Sequence, residues 1–204
     1  VLNKKDGSTF DDKDESLLEA LSVQAGVAIQ RARLLEAFVE KQRIQESLKL
    51  AADIQMGMLP KDFPAFPNRD DFDLFASIIP AKEVGGDFYD FFLIDDDHLC
   101  FVIGDVSGKG VPAALFMAVT KTHVAASTIP GIEPSDILIR ANDELSKEND
   151  QGMFCTIFYG ILNTKTGEVR YSNGGHNPPY LVRADGSNEQ LEGTDGIALG
   201  VMDG

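Results

Sequence analysis

Gly85-Gly86-Asp87-Phe88-Tyr89-Asp90 and Gly104-Asp105-Val106-Ser107-Gly108-Lys109-Gly110 each set an aspartate at the glycine-rich end of a strand-like run. The apolar run Phe101-Val102-Ile103-Gly104 reads as a buried strand with Asp105 at its polar end. Gly108 and Gly110 then let a ligand approach the backbone closely. The loop Ser107–Gly110 leads into a helix start, an arrangement that suits phosphate. It lacks the glycine spacing and Lys-Ser/Thr of a nucleotide loop, which argues against a nucleotide site. A carboxylate aimed at that loop repels phosphate unless a cation lies between them, so the residues point to a hard divalent ion. In a regular strand Asp87 and Asp90 face opposite ways, and Asp87 is the expected ligand. Taken singly, Gly-Gly-Asp also reads as a plain turn and Asp105 as a helix cap. Taken together, on adjacent antiparallel strands, the two motifs bring both carboxylates to one end of a hairpin.

The flanking sequence reads as α+β. Strands are expected at Phe72–Ile79, Asp87–Ile94 and Leu99–Val106, with Asp95-Asp96-Asp97 as the turn between the last two. Helices follow over Gly110–Ile129 and Glu133–Asn149, with Pro112 and Pro134 in first turns. Hairpins close the pattern, Phe154–Leu162 with Glu168–Ser172 and Tyr180–Arg183 with Asn188–Leu191. Strands, adjacent helices, then hairpins is not βαβ alternation.

Upstream, no proline occurs between Val1 and Leu59. A helix of about 45 residues is expected from near Asp14 to near Leu59, against a usual ~11–12. Leu34, Ala37, Ile44, Leu48, Ala51 and Met58 alternate in threes and fours, with Lys41 and Gln55 interrupting, an imperfect heptad seam. Too few apolar residues exist for such a helix to stay folded alone, so a homodimer through it is expected, the other reading being a helix packed on its own domain. The prolines of Leu59–Pro67 mark the boundary between this helix and the downstream domain.

Composition narrows the classes. The 204 residues are 43% hydrophobic and 25% charged, with a net charge of -15. No basic run offers a nucleic-acid footprint, and the acidic surface disfavours anionic membranes. Cys100 and Cys155 sit in apolar strand-like runs and read as buried reduced thiols, which fits a cytoplasmic location. No apolar run approaches the ~20 residues of a membrane span. The chain starts without Met, and both ends read as cut from something longer.

The two motifs, followed by Ser172-Asn173-Gly174-Gly175-His176-Asn177-Pro178-Pro179, closely resemble bacterial metal-dependent protein phosphatases of the PPM type, the stress-response and sporulation branch. Ala52–Pro60 resembles the segment preceding that domain. Residues 1–36 resemble the closing turn and last helix of a GAF sensor domain, through Asn3–Gly7, Phe10 and Leu17–Leu35. The resemblance implies three parts: the end of a GAF-like domain at 1–36, a helical linker at 37–60, and an incomplete phosphatase domain at 61–204. It implies a truncated α-β-β-α sandwich and two Mn or Mg ions. Asp105 would bridge them, Asp87 would be a second ligand, and the Val106 carbonyl a third, with phosphoserine or phosphothreonine hydrolysed by metal-activated water. Gly86, Ser107, Gly108, His176 and Asn177 would lie near the active site. The family's usual substrate is a phosphorylated anti-sigma-factor antagonist. His98 and His123 read as structural, and His176 is open between structure and proton or substrate handling. The family carries two further metal aspartates downstream. Asp195 and Asp203 do not match them, so weak metal binding and little activity are expected of these residues alone. The alternative is a non-catalytic dimeric signalling scaffold with a phosphatase-like partner-binding domain.

Overall fold

The structure is a computed structural model that describes residues 4–5, 7–80, 82–147, 149–191 and 196–202. Asp195 and Asp203 lie outside the described residues. The chain divides into two units, Val1–Ser47 and Leu48–Gly204.

The first unit is almost entirely helix. Helix α1 runs Asp12–Gly57 and so continues into the second unit. It begins two residues earlier than expected because Asp11 caps it. The Asp11 Oδ1 accepts from the N–H groups of Lys13 and Asp14, each at 3.1 Å, while Asp14 Oδ2 accepts from the Asp11 N–H at 2.9 Å. Asp12, Asp14 and Glu15 then set negative charge at the positive helix end. Leu17, Leu21, Ile29, Leu34, Phe38 and Ile44 are all exposed.

The second unit begins with the last turns of α1. Leu48, Ala51, Ala52, Gln55 and Met56 turn towards their own unit, and Leu59 is buried in its core. Of the expected seam, Leu48, Ala51 and Gln55 turn into the downstream domain, while Met58 is exposed.

Strands β1 (Phe88–Leu93), β2 (His98–Val106), β3 (Cys155–Asn163) and β4 (Val169–Gly174) form one antiparallel sheet in that order. Helices α2 (Val111–Ser127) and α3 (Pro134–Ser146) pack on one face. Ile137, Leu138, Ala141 and Leu145 make the buried stripe of α3, and Ala113, Met117 and Val124 that of α2. They meet Phe88, Cys100, Val102, Val106, Ile157 and Tyr159 from the sheet. Each such large apolar side chain contributes about 1.5–3 kcal/mol by leaving water. Glycine makes the sheet fit: Phe88 lies over its register partner Gly104, and Phe101 over its partner Gly160, where any Cβ would strike the ring. A separate hairpin, β5 (Tyr180–Val182) with β6 (Asn188–Gln190), is exposed throughout.

Phe72–Ile79 does not form the expected strand. Its burial alternates, with Phe72, Leu74, Ala76 and Ile78 half-buried and Asp73, Phe75, Ser77 and Ile79 exposed. The alternation that suggests a strand is real, but among the described residues no ladder partner pairs with it. It is an extended segment, and β1 remains the sheet edge.

Candidate metal centre

The β1–β2 register places Phe88 opposite Gly104, so one step on Asp87 stands opposite Asp105. Both carboxylates project from the sheet face away from α2 and α3. Asp90, three residues on, projects the other way and is buried, where Lys121 Nζ of α2 donates to its Oδ2 at 2.7 Å. Alternation thus separates Asp87 from Asp90, as expected of a regular strand.

Asp105 is held above the usual carboxylate range, first by partial removal from water and then by the Asp87 carboxyl, which is close enough to share a hydrogen bond. Among the described residues neither aspartate forms an ion pair. Two facing carboxylates that lack a counter-ion suit a cation. Gly86 is packed so tightly against the end of β2 that a Cβ there would stand 2.7 Å from the Val106 carbonyl oxygen. The arrangement brings two carboxylates, hard oxygen donors of the kind Mg or Mn takes, to one end of the β1–β2 pair. No third His, Cys, Asp or Glu joins them among the described residues, so the set fits part of a coordination shell.

Both aspartates line a cavity of about 140 Å³ with Gly85, Gly86, Gly108, Lys82 and Lys109. Gly108 and Gly110 have φ of 87° and 75°, conformations that strain any other residue, and they turn the chain from β2 into α2. Gly110 caps α2 without any side-chain bond, and no acidic residue occupies the first turn. Ser107 turns away from the cavity; its Oγ accepts from the Phe154 N–H at 3.0 Å and braces β2 on β3.

His176 reaches the same end of the sheet from the loop after β4. Asn173 fixes that loop by donating to the His176 carbonyl at 2.8 Å and accepting from its N–H at 2.7 Å. The ring Nδ1 lies 2.9 Å from Thr156 Oγ1, and Thr156 is the register partner of Asp105. Burial holds the imidazole below its ordinary value, with Asp87 opposing. Asn177 lies beyond it in the same loop, exposed. Elsewhere, His98 is paired with Asp95 at 2.8 Å, far along the ladder from the aspartates. Sequence reasoning missed Thr156 and Asn173 as supports, and Gln55 as a neighbour of the cavity. Gln55 had left one signal, a polar residue breaking an apolar seam.

The family model for Stage II sporulation protein E (SpoIIE) matches residues 95–204. The chain belongs to the SpoIIE family. Among curated proteins, the phosphoserine phosphatase RsbU of Bacillus subtilis is 32% identical over 177 residues, covering 86% of this chain and 51% of RsbU. Protein IcfG of Synechocystis is 32% identical over 182 residues, covering 76% of this chain and 28% of IcfG. The chain thus spans about half or less of the length of these relatives. Among solved structures, the SiaA-PP2C domain of Pseudomonas aeruginosa matches with a TM-score of 0.63 at 22% identity, over 80% of this chain and 65% of that one, a likeness of fold. The RsbU and RsbW domains of Rv1364c from Mycobacterium tuberculosis match with a TM-score of 0.53 at 33% identity, over 60% of this chain and 34% of that one. The α+β fold is therefore that of PP2C-type phosphatases, preceded by a long helix. No helix among the described residues is long and apolar enough to cross a membrane.

Proposed function

We propose that this chain carries the core of a metal-dependent protein phosphatase that hydrolyses phosphoserine or phosphothreonine in a bacterial signalling protein. The carrying observation is the opposition of Asp87 and Asp105, in a chain of the SpoIIE family; the Val106 carbonyl, which abuts Gly86, is read as the third donor. These three groups would hold Mg or Mn. When bound, the ion supplies charge neutralisation for a phosphoryl group and an activated water.

The remaining work falls to the chain. Lys82 and Lys109 line the same cavity and offer donors for phosphate oxygens in a protein of net charge -15. Gly108 and Gly110 keep the loop bare, so a phosphate can approach the uncapped start of α2. His176, seated by Thr156 and Asn173, is available for proton or substrate handling. No thiol is needed: burial pushes Cys100 and Cys155 up to about 12, and neither lines the cavity.

The likeness to the phosphoserine phosphatase RsbU supports phosphoserine as the group hydrolysed; the resemblance to the stress-response branch makes an anti-sigma-factor antagonist our candidate substrate. For regulation, we assign residues 1–36 to a GAF-like sensor, 37–60 to a linker and 61–204 to the phosphatase domain. The exposed Leu17, Leu21, Leu34, Phe38 and Ile44 support a homodimer along α1. The presence of only two clustered carboxylates among the described residues favours a second reading, a non-catalytic partner-binding scaffold.

Release of phosphate from a phosphoserine protein with Mn²⁺ separates them. A protein spanning the full length of such relatives should turn over, residues 1–204 should give little, and Asp105→Asn in the full-length protein should abolish release. A full-length protein whose signalling is unchanged by Asp105→Asn would leave the scaffold reading standing.

A further inference from the structure

Gln55 is the buried residue that α1 contributes among those described. A polar side chain on an inward stripe costs free energy unless it is bonded. This one is bonded twice to a single residue: Nε2 donates to the Gly85 carbonyl at 2.6 Å, and the Gly85 N–H donates to Oε1 at 3.2 Å. The amide sits against the Gly85 backbone much as a neighbouring strand would. A side chain at position 85 would meet nothing within 4 Å, so the position contributes its backbone.

Gly85 lies two residues before Asp87, and the glycine between them abuts the Val106 carbonyl. Two residues after Asp87, Tyr89 Oη donates to the Pro60 carbonyl at 2.7 Å. The backbone bearing Asp87 is thus held on both sides by one helix end, whose Leu59 is anchored in the core. Gln55, Met56 and Leu59 line the cavity that both aspartates line.

We propose that Gln55 is a positioning residue: its amide holds Gly85-Gly86 where Asp87 can meet Asp105, so the centre forms only when the end of α1 is seated. This rests on the metal reading above. The polar break at Gln55 in the heptad seam then lies on the part of α1 that serves its own domain and the site.

The test uses ¹⁵N-labelled residues 1–204, with amide exchange read at 84–88 and Mn²⁺ titrated by paramagnetic broadening of the amides of 85–88 and 105–108. Asp105→Asn is the metal-blind control. Gln55→Met keeps the reach and removes both bonds. It should speed Gly85 exchange about tenfold and weaken Mn²⁺ about 10–100-fold, with the fold retained. Wild-type exchange and affinity in Gln55→Met would overturn the proposal. So would a lowered melting temperature with unchanged affinity, since that is a stabilising residue only. Should Gln55→Met not fold, Gln55→Glu takes its place with the same readouts, because it keeps the acceptor and loses the donor. If Mn²⁺ broadens nothing in the wild type, the metal reading fails, and exchange at Gly85 alone decides the clamp: unchanged exchange overturns it.

Discussion

At Gly86 a single hydrogen in place of a methyl group decides how close the chain before β1 and the end of β2 can come beside Asp87 and Asp105. Added carbon would press on both the carbonyl and the Cβ of Val106, at 2.7 and 2.9 Å. Both contacts involve backbone or a branched, buried side chain, so neither can yield cheaply. Gly86→Ala should therefore cost about 1–3 kcal/mol, read by urea unfolding, and should separate the two aspartates, read as lost Mn²⁺ broadening at Asp105. Retained affinity would mean that the close approach is not needed for the centre. Much of this scale was legible beforehand. Alternation alone assigned Asp87 and Asp90 to opposite faces, and glycine-rich strand ends located the cavity. Thr156 and Asn173 were not legible, because their roles depend on a register and a loop return that no local pattern encodes.

At the scale of elements, Asp90 and Lys121 tie the β1 edge to α2 through an ion pair whose side chains are 10% and 19% exposed. Ion pairs so placed add little net stability, but losing one partner strands the other. Lys121→Met should destabilise by about 3 kcal/mol in urea unfolding, and the double variant with Asp90→Leu should recover most of the loss. A double variant no better than the single would show that the pair does more than neutralise itself. The same scale shows where periodicity reads well and where it fails. The strand pairs and both core helices follow the sequence pattern to within a few residues. Phe72–Ile79 keeps the pattern without the ladder, because a strand is a property of two segments and only one was on view. Likewise, the heptad spacing could not tell which helix face would find a partner and which would find its own domain.

At the scale of the whole molecule, α1 carries exposed apolar residues upstream and the Gln55 clamp downstream. Inserting one to three residues near Glu46 in the full-length protein should change phosphate release with the phase of the helix, about 100° per residue; an effect that tracks insert length alone would argue for a passive tether. The edge strand β1 and the bare Phe75, Ile79 and Ile103 have a different consequence. They make the purified chain a colloid held apart by its own charge of -15. Added salt shortens the reach of that repulsion to about 3 Å at 1 M, and unpaired strand edges readily template one another. Light scattering should then rise with sodium chloride while circular dichroism stays constant: the solution should cloud before the protein unfolds.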